Sequence, residues 1–371
     1  MQPLEGVLVL DFSTLLPGPC SSLMLAEAGA RVIKVERPER GDEMRSYEPK
    51  VGADSINFAM LNRGKQSLAI DLKAPDSIAR LKPLIERADV LIEQFRPGVM
   101  ERLGLGYEAV RRINPRLVYC SITGWGQTGP KAQNAGHDLN YMAETGVLGL
   151  TGGADGAPVL PPVLAADIAG GAYPAVMNIL LALMQRDRTD CGSYLDIAMA
   201  DNLFSFLYWG LGNGFATGRW PGRGDEIVTG ASPRYQIYPT QDGRYLAAAP
   251  IEDKFWALFC ALIELPEALR SPDAPARAVK AGVAARIAAQ PAQHWQALFA
   301  GQDVCCSIVA TLEEAVQDAQ VISRQLFARQ LDLDGQACPA LPTPVAPLFR
   351  SAQGSARAPR LNETQDPLLL I

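Results

Sequence analysis

The first forty residues alternate between a strand pattern and a helix pattern, and this alternation constrains the fold most strongly. The apolar run Val7–Phe12 predicts a buried strand, and the turn Pro17–Pro19 separates it from a helical pattern at Ser21–Ala28. Gly29 ends that helix, and Arg31–Glu36 predicts a second strand. Two strands joined by a helix form a βαβ unit with a right-handed crossover, which begins a parallel sheet covered by helices.

The same alternation continues through the first two hundred residues. Further strands are predicted at Ser67–Leu72, Ala88–Glu93, Leu117–Ile122 and Tyr194–Ile197, and further helices at Asp76–Arg87 and Ala172–Arg186. The last of these segments is predicted as a helix because it is long, unbroken and rich in alanine. We therefore predict an α/β fold with a doubly wound parallel sheet.

The length of the chain predicts two domains. At 371 residues, it exceeds the size at which a single hydrophobic core usually keeps growing. We assign residues 1–200 and a returning segment at 330–371 to a large domain, 201–230 to a linker and 231–329 to a small domain. The Gly, Arg and Trp content of 201–230 suggests the linker, and a hairpin at Tyr235–Ala249 followed by helices predicts an α+β small domain.

Charge and cysteine usage exclude several classes of function. The net charge of -6, with 40 acidic and 34 basic residues, argues against a nucleic-acid partner, which would need a basic face. The seven cysteines include no C-x-x-C pair, which favours free thiols in a reducing compartment and no metal site. Residues 1–6 do not resemble a signal peptide, and no run of 18 apolar residues occurs. We therefore expect a cytoplasmic protein with no membrane partner.

Two segments point to proton chemistry. His137, one of two histidines, lies in Gly136–Tyr141, and Asp167 follows in Ala166–Gly171. The unperturbed pKa of histidine lies near neutrality, and a carboxylate beside it supplies a second acid or base. On residue type alone, a structural role is the more common one for a histidine such as His137, and Asp167 is equally compatible with the N-cap of the helix that follows.

Six motifs in register resemble the type III CoA-transferase superfamily, which includes the 2-methylacyl-CoA racemases. They are Leu16–Pro19, Val35–Pro38, Asn62–Leu68, Gln94–Val99, Gly124–Pro130 and Gly136–Asp138. The last third matches mainly through Asp242–Tyr245 and Ile251–Glu252. The resemblance implies a Rossmann-like large domain, a small domain joined by long linkers, and an interlocked homodimer.

One position separates the two branches of this superfamily. The transferases typically carry an aromatic residue where His137 stands, and an aspartate matching Asp167 forms covalent acyl and CoA intermediates. The racemases carry histidine at that position, and they pair the aspartate with a glutamate matching Glu252. The sequence therefore resembles the racemase branch, with a CoA-transferase as the alternative. A protein that binds CoA thioesters without turnover is a third class.

The resemblance assigns roles to the catalytic candidates. His137 and Asp167 would stand on opposite faces of the α-carbon of the thioester, and Glu252 would share a proton with Asp167. Backbone N–H groups near Asp167 would stabilise the enolate oxygen, and Gly170 and Gly171 would let the substrate approach the backbone. Glu252 is also compatible with an ordinary first-turn glutamate of a helix.

The resemblance also assigns residues to the CoA moiety, which is part of the substrate, so that no separate cofactor is expected. The CoA-binding candidates are Arg37, Ile70, Asp71, Leu72, Lys73, Gly136, Asp138, Leu139, Asn140 and Tyr141. Additional phosphate contacts are expected from Arg63, Lys65, Arg96 and Arg102. The loop Thr151–Ala157 is richer in Gly and Ala than in typical racemases, and the sequence leaves the preferred acyl chain open.

Overall fold

A computed structural model describes residues 2–153, 156–350 and 355–363. Its strands are β1 (Leu8–Asp11), β2 (Arg31–Glu36), β3 (Lys50–Val51), β4 (Asp54–Ser55), β5 (Gln66–Ala69), β6 (Val90–Glu93), β7 (Val118–Thr123), β8 (Tyr194–Ala198), β9 (Gln236–Pro239), β10 (Tyr245–Ala248), β11 (Cys306–Ile308), β12 (Gln330–Leu333), β13 (Gln336–Pro339) and β14 (Ser355–Arg357). Parts of two predicted segments lie outside the described residues, namely 154–155 of the Gly-rich loop and 351–354 and 364–371 of the returning segment.

The helices follow the predicted alternation. They are α1 (Pro17–Glu27), α2 (Ile56–Asn62), α3 (Ser77–Arg87), α4 (Val99–Arg102), α5 (Tyr107–Ile113), α6 (Asp138–Glu144), α7 (Val147–Leu150), α8 (Tyr173–Thr189), α9 (Met199–Leu203), α10 (Tyr208–Thr217), α11 (Asp253–Leu262), α12 (Ala276–Ile287), α13 (Ala292–Phe299), α14 (Leu312–Val316) and α15 (Ala319–Ser323). A π-helical segment, Ala166–Ala172, leads directly into α8.

Six strands form one parallel sheet in the order β5-β2-β1-β6-β7-β8. This is the order of a Rossmann-like sheet, in which the direction of strand addition reverses between β1 and β6. All carboxyl ends therefore meet at one edge, where ligands bind in folds of this kind. The predicted α/β fold with a parallel sheet is confirmed.

Burial explains why these strands are short apolar runs. All residues of β1 and β7 are buried, as expected for a parallel sheet with both faces covered. Helix α3 packs one face against the sheet, because Leu81, Leu84 and Ile85 share a core with Leu10 and Ile33. The apolar spacing of α3 thus places its polar side chains in solvent.

Helix α1 begins four residues earlier than the sequence predicts. Pro17, which the prediction placed in a turn, occupies the first turn of the helix, where the missing proline N–H costs nothing. Gly18 follows, and a Cβ atom there would lie 2.1 Å from Cβ of Ser13. Proline and glycine therefore serve a tight strand-to-helix connection here, and they do not interrupt the helix.

The chain divides into two compact units. The first contains the described residues of Met1–Thr145, Pro161–Phe206 and Ser323–Ile371, and the second contains those of Gly146–Leu160 and Leu207–Ile322. The C-terminal part of the first unit forms a sheet in which β12 pairs antiparallel with β13 and parallel with β14.

The second unit contains the antiparallel sheet β11-β10-β9 and a core that includes Phe259 and Trp295. Residues 207–230 belong to this unit and contain α10, so they are not the plain linker that their composition predicted. The reason is a close contact of glycine with tryptophan: a Cβ atom at Gly214 would lie 2.3 Å from Cε3 of Trp220. Residues 215–230 are nevertheless exposed or half-buried, as their composition predicted, and the exposed side chains include those of Phe215 and Trp220.

A buried ion triad ties the C-terminal segment to the rest of the first unit. The carboxylate of Glu27 on α1 accepts hydrogen bonds from Nε of Arg63 (2.9 Å) and from a terminal nitrogen of Arg329 (2.6 Å). Arg63 also donates to the carbonyl oxygen of Leu341 at 2.7 Å. One carboxylate thus compensates two cations with little access to water.

Replacing Glu27 with Gln is expected to lower the free energy of unfolding by about 3–5 kcal/mol, because Arg63 and Arg329 would lose their compensating charge. Denaturant unfolding measures this loss. Glu86, exposed and paired with Lys82 at 3.7 Å, provides the matched control. Glu86→Gln is expected to cost about 0.5 kcal/mol or less, and equal losses in the two variants would contradict a structural role for the triad.

The segment Ala166–Thr189 is long and apolar enough to cross a membrane by length and composition alone. One such helix is weak evidence for a membrane span, because core helices of soluble proteins meet the same criterion. Only 33% of its most apolar window is buried, and the exposed side chains include those of Tyr173, Met177, Leu181 and Met184. The first unit therefore presents an apolar helix face.

Candidate active site

Two cavities in the first unit are lined by the segments that follow the carboxyl ends of its parallel strands. The first, named the His137 cleft, has a volume of about 390 Å³. Residues after β1, β6 and β7 line it together with His137 and Asp167. The second, named the Arg37 pocket, has a volume of about 590 Å³ and is lined by residues after β1, β2, β5 and β6. Phe95 lines both cavities.

His137 immediately precedes α6 and is exposed. Its backbone N–H donates to the side-chain oxygen of Asn140 at 3.0 Å, and its carbonyl oxygen accepts from the Asn140 N–H at 2.8 Å. The start of the helix is therefore fixed by the backbone of His137.

The ring of Tyr141 explains two glycines of the matching motifs. A Cβ atom at Gly124 or at Gly136 would lie 2.4 or 2.7 Å from Cε1 of that ring. The Tyr141 hydroxyl donates to the carbonyl oxygen of Gly136 at 2.7 Å. Tyr141 therefore anchors the loop that carries His137 to the end of β7.

Asp167 lies in the first turn of the π-helical segment, and a π-helical turn is a frequent feature of functional sites. It is not the N-cap residue, since that position is Ala165 and no side chain caps this helix. Burial, and secondly the negative charge of Asp138, raise the pKa of Asp167 to about 6. This carboxyl group therefore exchanges its proton close to neutral pH.

The carboxylate of Asp138 is turned away from solvent and holds Asp167 in place. Asp138 is 4% exposed and accepts the backbone N–H of Asp167 at 2.9 Å. Ile168 donates its N–H to the carbonyl oxygen of Leu164 at 3.1 Å. The N–H groups of Asp167 and Ile168 are thus engaged, so these two amides are not free to stabilise the enolate oxygen.

The role of Gly170 also differs from the expectation. A Cβ atom at Gly170 would lie 2.5 Å from the carbonyl oxygen of Met199, and one at Gly171 would lie 3.0 Å from Cγ of the same residue. Asn202 donates to the carbonyl oxygen of Gly170 at 2.7 Å. Both glycines therefore allow α9 to pack against the π-helical segment, and neither is required to be open to substrate.

The Arg37 pocket brings together five of the residues that the sequence assigns to CoA: Arg37, Ile70, Asp71, Leu72 and Lys73. The guanidinium of Arg37 donates to the carbonyl oxygen of Gly41 at 2.9 Å and pairs with Glu43 at 2.8 Å. Arg102 lines the same pocket, whereas Arg96 lines the His137 cleft.

Two of the expected phosphate contacts are not available. Arg63 is 2% exposed and pairs with Glu27, and Lys65 is 4% exposed. Lys65 donates to Pro19 at 2.9 Å and Asn62 at 2.8 Å, and pairs with Asp11 at 3.2 Å. These cations compensate buried polar groups, so the expectation that they contact phosphate is corrected.

The remaining candidates for substrate binding and catalysis lie in three different environments. Gly136, Asn140 and Tyr141 line the His137 cleft, and Leu139 is 43% exposed. Glu252 belongs to the second unit, where it is exposed and immediately precedes α11. Its pairing with Asp167 stays a prediction.

Comparison with known proteins identifies the family. The model of CoA-transferase family III matches residues 4–365, which is nearly the whole chain. The chain belongs to CoA-transferase family III.

Relatives within family III carry out different reactions at similar distances from this chain. It is 36% identical to human alpha-methylacyl-CoA racemase over 359 residues, covering 94% of this chain and 89% of the relative. It is 35% identical to acetyl-CoA:oxalate CoA-transferase of Acetobacter aceti, covering 88% and 86%. A CAIB/BAIF family protein from Brucella suis superposes with a TM-score of 0.83 at 31% identity, covering 98% and 97%. Overall identity therefore does not choose between racemase and transferase.

Proposed function

We propose that this family III protein is a racemase, which inverts the α-carbon of 2-methyl-branched acyl-CoA thioesters through an enolate. The observation that carries the proposal is that His137 and Asp167, from different elements, line one cleft. Inversion requires one group to remove the α-proton from one face and another to return a proton to the other face. An imidazole and a carboxyl group with a pKa of about 6 suit these two roles.

The two cavities fit the two ends of an acyl-CoA. Arg37, Lys73 and Arg102 line the Arg37 pocket and supply cations for the nucleotide phosphates. The thioester would lie in the His137 cleft, with Phe95 contacting the substrate between the two cavities. Since CoA is part of the substrate and only protons move, the reaction needs no further cofactor.

The first turn of α6 is our candidate for stabilising the enolate oxygen. The N–H groups of Asp138 and Leu139 follow His137 at the start of this helix, where N–H groups have no acceptor within the helix. Such amides act on negative charge that develops during the reaction. Glu252 is proposed to share a proton with Asp167, as the resemblance to racemases implies.

A specific observation also keeps the transferase as a second candidate. Acetyl-CoA:oxalate CoA-transferase is 35% identical to this chain, and Asp167 lines the cleft where a carboxylate nucleophile would meet a thioester. In that reaction, CoA moves between carboxylic acids through covalent intermediates on Asp167. His137 favours the racemase, because general acid–base chemistry uses an imidazole whereas attack by Asp167 does not require one.

Heavy water separates the two reactions. The protein is incubated in deuterium oxide with one enantiomer of a 2-methylacyl-CoA and without an acceptor acid. Deuterium at the α-carbon together with loss of optical purity is expected from a racemase. Turnover that requires an added carboxylic acid, with a hydroxylamine-sensitive thioester on Asp167, would support the transferase. Binding without either reaction would support a carrier of CoA thioesters.

The proposal predicts a specific change in pH dependence for Asp138→Asn. Asp167 must be deprotonated to accept the α-proton, so the rate of the wild-type protein rises with pH through about 6. Removing the charge of Asp138 lowers the pKa of Asp167, and the acid limb of kcat/KM moves to lower pH. Burial still acts, so the limb stays above the ordinary pKa of aspartate. Asp201→Asn, an exposed substitution on α9, is the control, and an identical shift there would contradict the assignment.

We also propose a homodimer located in the cytoplasm, with neither a nucleic-acid nor a membrane partner. An exposed apolar helix face, which includes Met177, Leu181 and Met184, supports a protein partner for the first unit. Sedimentation is expected to give twice the mass of the chain. A monomer at all concentrations would refute the dimer.

A further inference from the structure

A single buried carboxylate connects the walls of the two cavities. Asp42 lines the Arg37 pocket, and Leu15 lines the His137 cleft. Both carboxylate oxygens of Asp42 lie 3.2 Å from the backbone nitrogen of Leu15, which donates to them. The same carboxylate accepts the N–H of Met44 at 2.9 Å. The segment after β2 and the segment after β1 are thus joined through one side chain.

The junction is charged and closed to solvent. The side chains of Asp42 and Lys34 are 0% exposed and pair at 2.9 Å. Lys34 also donates to the carbonyl oxygen of Ser13 at 2.8 Å, on the segment that carries Leu15. Although burial opposes its charge, Asp11, Asp42 and Glu36 raise the pKa of Lys34, so it stays protonated.

The Leu15 segment needs this support. Leu15 has a φ angle of +61°, in the left-handed region that costs free energy for a residue with a side chain. Leu15 lies outside any helix or strand, and its N–H donates to the carboxylate of Asp42. The conformation of this cleft wall therefore depends on where the Asp42 carboxylate is held.

The residues on both sides of Asp42 are bonded to Arg37 in the wall of the Arg37 pocket. Arg37 bonds to Gly41 and pairs with Glu43, the two neighbours of Asp42. The backbone N–H of Asp42 donates to Glu36 at 2.9 Å. Arg37 is therefore bonded to the residues on both sides of Asp42.

We propose that Asp42 is a positioning residue through which occupancy of the Arg37 pocket fixes the Leu15 wall of the His137 cleft. This inference rests on the proposed function, in which the nucleotide end of CoA occupies the Arg37 pocket and the thioester occupies the cleft. Binding free energy of the nucleotide then raises kcat at a distance from the reacting carbon. The connection is independent of whether the cleft catalyses racemisation or CoA transfer.

The test divides the substrate at its nucleotide. A 2-methylacyl-pantetheine lacks the nucleotide, and adenosine 3′,5′-bisphosphate supplies most of it as a separate molecule. With the wild-type protein, the bisphosphate is expected to raise kcat on the pantetheine thioester by about tenfold. In Asp42→Asn the bisphosphate is expected to bind still, which calorimetry measures, and the stimulation is expected to be lost.

Lys73→Gln is the matched control, since Lys73 lines the same pocket and, in the described residues, its side chain makes no hydrogen bond or ion pair with Gly41–Glu43 or with Leu15. It is expected to change the affinity for the bisphosphate and to keep the stimulation. If Asp42→Asn does not fold, Asp42→Glu carries the same measurement, because it keeps the charge and displaces the carboxylate from Leu15. Equal stimulation in the wild-type and Asp42 variants, or none in the wild type despite binding, overturns the proposal. A wild-type protein that does not bind the bisphosphate refutes the proposed nucleotide site instead.

Discussion

His137→Ala is expected to reduce racemisation by about 10²- to 10⁴-fold, the usual contribution of a general acid or base. Affinity for the acyl-CoA should stay nearly unchanged, because the nucleotide end is proposed to occupy the Arg37 pocket. The variant should also fold, since the two backbone hydrogen bonds between residue 137 and Asn140 at the start of α6 do not require the imidazole. Loss of optical purity of a single enantiomer measures the rate, and calorimetry with CoA measures the affinity.

The second histidine of the chain provides the control. His294 lies on α13 of the second unit and is exposed. His294→Ala should racemise the substrate at the wild-type rate. Unimpaired racemisation by His137→Ala would show that His137 is not one of the two acid–base groups.

The fold of the first unit was accessible from sequence because its strands are buried on both faces. Such strands have sequences that are short apolar runs. The predicted strand Arg31–Glu36 has the same bounds as β2. Boundaries were less accurate where a segment changes role. The predicted strand Ser67–Leu72 continues past β5, which ends at Ala69, because Ile70, Asp71 and Leu72 line the Arg37 pocket. Apolar character alone does not distinguish a strand from a pocket wall.

The site was only partly accessible, because residue type does not show which partner a polar side chain meets. Acid–base chemistry singled out His137 and Asp167, and the resemblance led to the residues of the Arg37 pocket. The sequence also suggested phosphate contacts for Arg63 and Lys65, although both form ion pairs with buried carboxylates. The partner carboxylates, Glu27 and Asp11, lie far from Arg63 and Lys65 in the sequence, so no local sequence pattern predicts the pairing.

Positioning residues were hidden for the same reason. Asp138 was assigned to the substrate, whereas its carboxylate accepts the N–H of Asp167. No sequence pattern singled out Asp42, although its carboxylate accepts a hydrogen bond from the N–H of Leu15. In both cases the function of the side chain depends on a backbone amide 27 or more residues away, and only the folded chain shows that distance closing.

Asp167→Asn separates the proton-transfer mechanism from covalent catalysis. Asparagine is close to aspartate in size but does not accept a proton at neutral pH, so racemisation should fall by about 10²- to 10⁴-fold. In the proposed mechanism, His137 still acts on the other face of the α-carbon. The variant is therefore expected to exchange the α-proton of one enantiomer with deuterium, without inverting it, and to leave the other enantiomer untouched.

The transferase mechanism predicts a different result for the same variant. Without the carboxylate nucleophile, no thioester forms on residue 167, and neither enantiomer exchanges its α-proton with solvent. Asp201→Asn on α9 controls for a general effect of charge removal near the π-helical segment. Mass spectrometry of both enantiomers after incubation in deuterium oxide reads all of these outcomes. Exchange confined to one enantiomer identifies two acid–base groups that act on opposite faces, whereas wild-type inversion in Asp167→Asn would eliminate Asp167 as one of them.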